Sequence, residues 1–336
     1  MDTVQRLAAL IAAEHPEPYR EDLRTITGAR TDVEIAGWID DLVRRELGQT
    51  LAAPLFGNKS VGAVFGLELA SGERVVLKLF HPAFARQQLQ AMQRCQEVLV
   101  AQGFPAPAPR TDLFAADEHI TGGFYEWLDG DLGDGHDPLI RQELARSLAE
   151  LAGLLAGMDA RGLPPSGLRG ADLWPPPHRS FLSADPDPAI AWIDEVGRRA
   201  QAIVRRFPGR VQPGHLDWGV KNVRFRGGHV CAVYDWDSLF AASEAEMVGR
   251  ASAEFPTNWE APGRLTPTLD ESVAFVEDYQ KARGRRFDTD ERAVVEAAAD
   301  YLVAEVARQE RGGGGVERPD SFTSLLRERI AAHRGR

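Results

Sequence analysis

Near the middle of the chain two polar runs stand close together: Gly214-His215-Leu216-Asp217-Trp218-Gly219-Val220-Lys221-Asn222 and Val233-Tyr234-Asp235-Trp236-Asp237. Between them Val223-Arg224-Phe225 and His229–Tyr234 flank Arg226-Gly227-Gly228, a pattern that predicts a β-hairpin. A hairpin returns the chain to where it left, so Asp235 should arrive back at the loop that carries Asp217 and Asn222. Phosphoryl transfer from a nucleotide needs a carboxylate beside the attacking hydroxyl. It also needs a carboxylate and an amide oxygen that hold a divalent cation, and a further positive charge on the phosphates left behind. The His-x-Asp-x-x-x-x-Asn spacing supplies the first carboxylate and the amide from one loop, and Asp235 supplies the second carboxylate.

These two motifs, with their separation, resemble the aminoglycoside phosphotransferase/choline kinase branch of the protein-kinase-like superfamily. There the catalytic loop reads His-Gly-Asp-x-x-x-x-Asn and the metal-binding segment reads Asp-Trp-Asp/Glu; here Leu216 stands at the glycine. The resemblance spans about residues 55–305 and implies an α+β, bilobal fold. A small antiparallel-sheet N-lobe would bind nucleotide, and a larger helical C-lobe would carry the catalytic loop and the acceptor site. It implies that Asp217 orients the acceptor hydroxyl and takes its proton, that Asn222 and Asp235 bind Mg2+, and that His215 braces the loop. Val75-Val76-Leu77-Lys78-Leu79-Phe80 resembles the kinase Val-Ala-Ile-Lys strand, which makes Lys78 the phosphate-gripping cation. Gly57-Asn58-Lys59-Ser60-Val61-Gly62 would be the phosphate-covering loop, with Gly57, Ser60 and Gly62 contributing backbone N–H groups. Glu126 and Leu128 fall at the interlobe hinge, where their backbone groups would meet adenine. One departure concerns the lysine's usual partner, a glutamate on the following helix: between His81 and Gln102 the chain offers only Glu97.

The implied activity is ATP- or GTP-dependent O-phosphorylation of a small molecule such as an aminoglycoside-like antibiotic, an amino sugar or a metabolite alcohol. The alternative is a catalytically idle nucleotide sensor, a pseudokinase. Asp-Phe-Gly and Ala-Pro-Glu do not follow the hairpin, which disfavours a peptide-positioning protein kinase. Lysine occurs only at positions 59, 78, 221 and 281, so each placement is informative.

Outward from this centre the chain separates into an N-terminal helical extension (1–50), a β-rich segment (51–127) and a helix-dominated segment (128–336). Apolar spacing predicts helices before Pro16 and over 33–43, the latter with Asp32 as N-cap, and strands at Ala63–Leu69 and Arg74–Phe80. A helix follows over 82–102, then short strands near 112–114 and 120–127. Further helices are expected over 138–158, 190–206, 270–283, 289–311 and 320–332, with a flexible hinge at Gly312–Gly315. The acidic residues Glu244, Glu246, Glu254 and Asp300 read as solvated helix positions near the acceptor side. Tryptophans 174, 218, 236 and 259 are candidates for a sugar-stacking wall, with core packing as the simpler reading.

At 336 residues the chain is long enough for two domains, and its 43% apolar and 26% charged content is that of a folded globular protein. A net charge of −11 disfavours nucleic acid as a partner, because such binding rests on cations placed against phosphates. Two cysteines, Cys95 and Cys231, make no disulfide framework or four-thiolate metal site. The longest N-terminal apolar run, Leu7–Ala13, is too short to span a membrane. The chain is therefore expected to be cytoplasmic, with a nucleotide and a small hydroxyl-bearing substrate as its partners and no membrane or protein partner legible.

Overall fold

A computed structural model describes residues 2–14, 23–24, 26–28, 30–59, 62–175, 188–259, 262–312 and 317–334. The chain divides into two compact units, residues 1–100 with 107–128, and 101–106 with 129–336.

In the first unit, helices α1 (Thr3–Glu14) and α2 (Asp32–Leu47) precede strands β1 (Leu51–Lys59), β2 (Ala63–Leu69) and β3 (Arg74–Leu79). Helix α3 (Arg86–Ala101), β4 (Phe114–Ala115) and β5 (Thr121–Glu126) follow. The five strands form an antiparallel sheet in the order β1-β2-β3-β5-β4. The N-cap of α2 is Thr31 rather than Asp32. Its hydroxyl accepts from the Glu34 N–H while the Glu34 carboxylate reaches back to the Thr31 N–H, a reciprocal capping box. Strand β1 occupies what the sequence presents as a glycine-bearing loop. Pro54 breaks the usual strand pattern, and register shifts between Leu51 and Ala53 and between Pro54 and Phe56 flank it against β2, which an edge strand tolerates.

The two N-terminal helices belong to this unit's core. Leu7 and Ile11 of α1 and Ile35, Ile39 and Leu42 of α2 are almost wholly buried with Phe65, Leu67, Leu77 and Phe124 of the sheet. Polar contacts from the same helices close the sheet at its two margins. On β1, the Ala52 carbonyl accepts from Arg6 Nη2 (2.7 Å), and the Gly57 N–H donates to Glu14 Oε2 (2.7 Å). Beside β4, the carbonyls of Ala115 and Ala116 accept from Arg45 Nη2 (3.0 Å) and Trp38 Nε1 (3.1 Å). At roughly 1.5–3 kcal/mol for each large aliphatic side chain buried, the five helix residues contribute on the order of 10 kcal/mol, comparable to the whole stability of a domain. Removing residues 1–47 is therefore expected to unfold the first unit rather than trim an appendage. Loss of the unit's cooperative melting transition checks this, and a truncated chain that melts like the intact one refutes it.

The second unit contains α4 (Pro138–Leu155), α5 (Ala191–Arg206), α6 (Glu244–Glu254), α7 (Leu269–Arg283), α8 (Thr289–Gly312) and α9 (Phe322–Arg334). Two short antiparallel pairs lie among them: β6 (Gln212–His215) with β9 (Leu239–Ala242), and the expected hairpin β7 (Val223–Arg226) with β8 (His229–Val233). Gly249 lets α6 and α8 meet backbone to backbone, since a Cβ there would sit 2.3 Å from the Val295 carbonyl. The Gly313–Gly315 part of the expected hinge lies outside the described residues. Both cysteines are free thiols, and among the described residues no helix is long and apolar enough to cross a membrane.

Candidate active site

The centre is assembled by β6, the loop after it and the hairpin. Strand β6 ends at His215, which pairs with Leu239 of β9. His215 is fully buried between two indoles, edge-on to Trp218 (5.8 Å) and to Trp236 (5.5 Å). Its Nδ1 accepts from the Asp217 N–H (3.3 Å), which leaves Nε2 to carry the proton and donate to the Tyr234 carbonyl (3.0 Å). Burial lowers the imidazole's pKa, consistent with a neutral ring that ties the loop to the segment just before Asp235. The expected bracing geometry is present.

Residues 220–222 then make one 3-10 turn, with the Asn222 N–H donating to the Gly219 carbonyl (3.0 Å). This turn folds Asn222 back onto Asp217. Its Nδ2 donates to the Asp217 backbone carbonyl and to Asp217 Oδ2, both at 2.8 Å. With the amide nitrogen so committed, the amide oxygen is the end of Asn222 left for a cation. The hairpin closes the other side: the Tyr234 N–H donates to the Asn222 carbonyl (2.8 Å), and Asp235 follows at once. Asp235 holds φ 63°, the one non-glycine residue in the left-handed region among the described residues. Ser238 fixes its orientation by donating from Oγ to Asp235 Oδ2 (2.8 Å). Asp217, Asn222 and Asp235 thus gather at the base of the hairpin, close enough for Asp235 to act electrostatically on Asp217.

Asp217 does not stand alone there. Lys221 Nζ lies 2.6 Å from its Oδ1 and 3.3 Å from Oε2 of Glu254, the last residue of α6. Burial pushes the Asp217 carboxyl up, but the Lys221 ammonium pulls it further down, so it ionises below the ordinary carboxylate range. The loop is also sewn to the end of α6 through its backbone. The Val220 N–H donates to the Phe255 carbonyl (2.9 Å), and a Cβ on Gly219 would lie 3.0 Å from that oxygen. Arg250, bonded to Glu305 of α8, donates from Nε to the Leu216 carbonyl (3.0 Å).

The four acids expected as solvated helix positions are each held by partners instead. Glu246 is fully buried with Arg169, Ser166 and Ser243, and Glu254 is buried against Lys221. Glu244 holds Tyr279 and Arg283, and Asp300 holds Arg329 and His333. Sequence missed Glu254 because a helix-terminal Glu is usually exposed; the signal available was Lys221, a rare lysine inside a polar loop. Tryptophans 174, 218 and 236 are core residues, and Trp259 alone of the four expected wall candidates is exposed.

In the first unit, Lys78 pairs in register with Val64 and Gly123, and its Nζ lies 5.7 Å from the Phe80 ring centroid. Glu97 is exposed and accepts from Gln93 Nε2 (3.1 Å), the helix position one turn earlier. Gly57 lies inside β1 with its N–H already given to Glu14, so that donor is not offered to a phosphate. Gly62 immediately precedes β2, where a Cβ would meet the Leu79 carbonyl at 2.4 Å, and Ser60 lies outside the described residues. The Glu126 N–H is likewise committed, to the Ala108 carbonyl (2.8 Å); Leu128 ends the unit.

Among the described residues no cluster of three or more His, Cys, Asp or Glu side chains is arranged to hold a metal ion. An ion held by Asn222 and Asp235 would draw its remaining oxygens from phosphate and water, as magnesium commonly does. The hard oxygen donors and the oriented amide fit such an ion.

Comparison with known proteins bears on the fold and the family. Solved structures with the same fold include the amicoumacin kinase hAmiN in complex with AMP-PNP, Ca2+ and Ami (TM-score 0.59, 10% identity, covering 84% of this chain and 86% of that one). They also include a thermostable mutant of the aminoglycoside phosphotransferase APH(4)-Ia in ternary complex with ADP and hygromycin B (0.58, 12%, 88% and 97%) and a Plasmodium vivax ethanolamine kinase (0.56, 12%, 95% and 94%). At such identities the likeness establishes a protein-kinase-like fold and nothing finer. No curated protein matches the sequence. The model of the phosphotransferase enzyme family (APH) matches residues 62–293, well over half of the chain, and the protein belongs to that family.

Proposed function

We propose that the protein transfers the γ-phosphoryl group of ATP or GTP to a hydroxyl of a small molecule. The observation that carries this reading is the convergence of Asp217, Asn222 and Asp235 at the base of the hairpin, with the Asn222 amide nitrogen turned into the loop. Asp217 keeps about 29% of its side chain exposed, so an acceptor hydroxyl can reach it. It orients that hydroxyl and receives its proton as the oxygen attacks, the task of a positioned general base. Asn222 and Asp235 would hold Mg2+, which when bound neutralises charge on the phosphates. His215, neutral and clamped by two indoles, keeps the loop and the Asp235 segment in register. Lys78 grips the phosphates that are not transferred, and Gly62 and Leu128 contribute backbone contacts to the nucleotide. A cytoplasmic setting, where nucleotide is plentiful, suits this chemistry.

Losing one charge-assisted contact to phosphate typically costs about 1.5–3 kcal/mol, or roughly 10–100-fold in affinity. Lys78→Met is therefore expected to raise the nucleotide Kd by that factor, as read by calorimetry; unchanged affinity would remove Lys78 from the site. The reading as a whole is tested by incubating the protein with ATP or GTP and a panel of aminoglycosides, amino sugars, choline and ethanolamine. Nucleotide consumption with a phosphate added to one compound, seen by mass spectrometry, supports it. Consumption stimulated by no acceptor favours an idle nucleotide-binding protein instead.

A further inference from the structure

Glu254 has no part in the chemistry described so far, yet it lies against the group that performs it. Its carboxyl ends α6 with the side chain 4% exposed. One oxygen, Oε2, accepts from Lys221 Nζ at 3.3 Å, and the same ammonium lies 2.6 Å from Asp217 Oδ1. The other oxygen, Oε1, is buried and accepts no hydrogen bond from the described residues. The Lys221 ammonium has three protons and a flexible four-carbon stem, so its direction is set by what it is bonded to. Here Glu254 is the fixed end of that arrangement. It sits on a helix whose next residue, Phe255, already holds the catalytic loop through the Val220 N–H.

We propose that Glu254 is a positioning residue for phosphoryl transfer: by holding Lys221 from behind, it fixes the orientation of the Asp217 carboxylate toward the acceptor hydroxyl. The inference rests on the phosphotransferase reading. Three groups face the Glu254 carboxyl: Lys221 and Asp217 from the loop, and Arg250 from its own helix, with Arg250 already paired to Glu305 of α8. An ionised Oε1 buried without a partner would be costly. Burial, with the Asp217 charge and its hydrogen bond beside it, raises the Glu254 pKa to about 8 against the pull of Lys221 and Arg250, so that near neutrality the carboxyl keeps its proton, turned to Asp217, and accepts from Lys221 through its carbonyl oxygen. The loop then carries one negative and one positive charge, on Asp217 and Lys221. Above that pH a second carboxylate competes for the ammonium.

The test compares Glu254→Gln, which keeps a neutral carbonyl acceptor, with Glu254→Leu, which keeps bulk and removes it. Turnover is measured as hydrolysis of magnesium-ATP, with water as acceptor, at pH 7. Glu254→Leu should lose about ten-fold or more in kcat, the scale of a small misplacement of a reacting group, with KM for the nucleotide within about two-fold of wild type. Glu254→Gln should restore most of the rate. Lysine scarcity supplies a second readout independent of turnover. In protein carrying ε-13C-lysine, four side-chain signals arise from positions 59, 78, 221 and 281. The signal of Lys221, assigned by elimination with arginine variants of the other three, should shift with an inflection near pH 8 in wild type. It should lose that inflection in Glu254→Gln.

A Lys221 signal indifferent to pH in that range and to Glu254→Gln overturns the contact. Full turnover by Glu254→Leu, or a Gln variant no better than the Leu variant, overturns the positioning role while leaving the phosphotransferase reading intact. Wild-type protein that phosphorylates no acceptor of the panel overturns that reading and this inference with it, even where it hydrolyses nucleotide and whatever the lysine signal does.

Discussion

Asp217→Asn is expected to lower phosphoryl transfer by roughly 10³-fold, within the range attributed to a positioned general base, while nucleotide affinity in magnesium stays within a few-fold of wild type. Asparagine matches aspartate in shape, and its amide oxygen can still accept from the Asn222 Nδ2 that bonds Asp217 Oδ2 in the native loop. What it lacks is the capacity to take a proton and the charge that balances Lys221, 2.6 Å away. The ammonium keeps its second partner, Glu254, so the variant should fold, and its effect should be confined to chemistry. Alanine is the harsher choice, because it also releases both oxygens that Asn222 and Lys221 hold. Turnover with the identified acceptor and calorimetry with a non-hydrolysable nucleotide separate the two quantities. An asparagine variant retaining a tenth or more of the native rate would mean that the proton goes elsewhere.

Asp235→Asn should abolish the magnesium-dependent part of nucleotide binding, raising Kd in magnesium by about 100-fold, the upper end of the loss seen when even a residue hydrogen-bonded to a metal ligand is changed. Affinity without magnesium should be unchanged. Asparagine rather than alanine is the informative variant because of the backbone. Residue 235 has φ 63°, a conformation that asparagine and aspartate tolerate and that costs other L-residues about 1 kcal/mol. Asp235→Ala therefore mixes loss of a ligand with strain and loss of the Ser238 bond, and its melting temperature should fall below that of Asp235→Asn. Equal affinities for Asp235→Asn and wild type in magnesium would remove Asp235 from the metal site.

The loop and hairpin were legible because their chemistry and their turn signals are local. His215, Asp217 and Asn222 sit within eight positions, and the Gly227-Gly228 turn that brings Asp235 back is written in the sequence between them. The amphipathic helices were legible for a similar reason, since a 3.6-residue period survives without knowledge of the partner. Strand β6 was not. Gln212-Pro213-Gly214-His215 has no strand propensity of its own and is extended because β9 pairs with it from 24 to 30 positions away. Strand β1 hid behind its proline and glycine in the same manner. The partner of the Gly57 N–H, Glu14, is 43 residues distant, and the cation that holds Glu254 in the interior lies 33 residues upstream. In each case the deciding contact is long-range, and residue type alone points the other way.

The seals on the sheet margins carry a consequence for how this protein fails. An exposed strand edge is a template for further strands, and natural sheets hide or disrupt their edges for that reason. Here concealment of both flanks, at Ala52 and Gly57 on one side and at Ala115 and Ala116 on the other, is delegated to side chains from a single stretch at the start of the chain. Proteolytic nicking or fraying of that stretch would bare both flanks together, so aggregates of the damaged protein should grow by sheet extension and bind amyloid-sensing dyes, whereas aggregates seeded by damage to the helical unit should not.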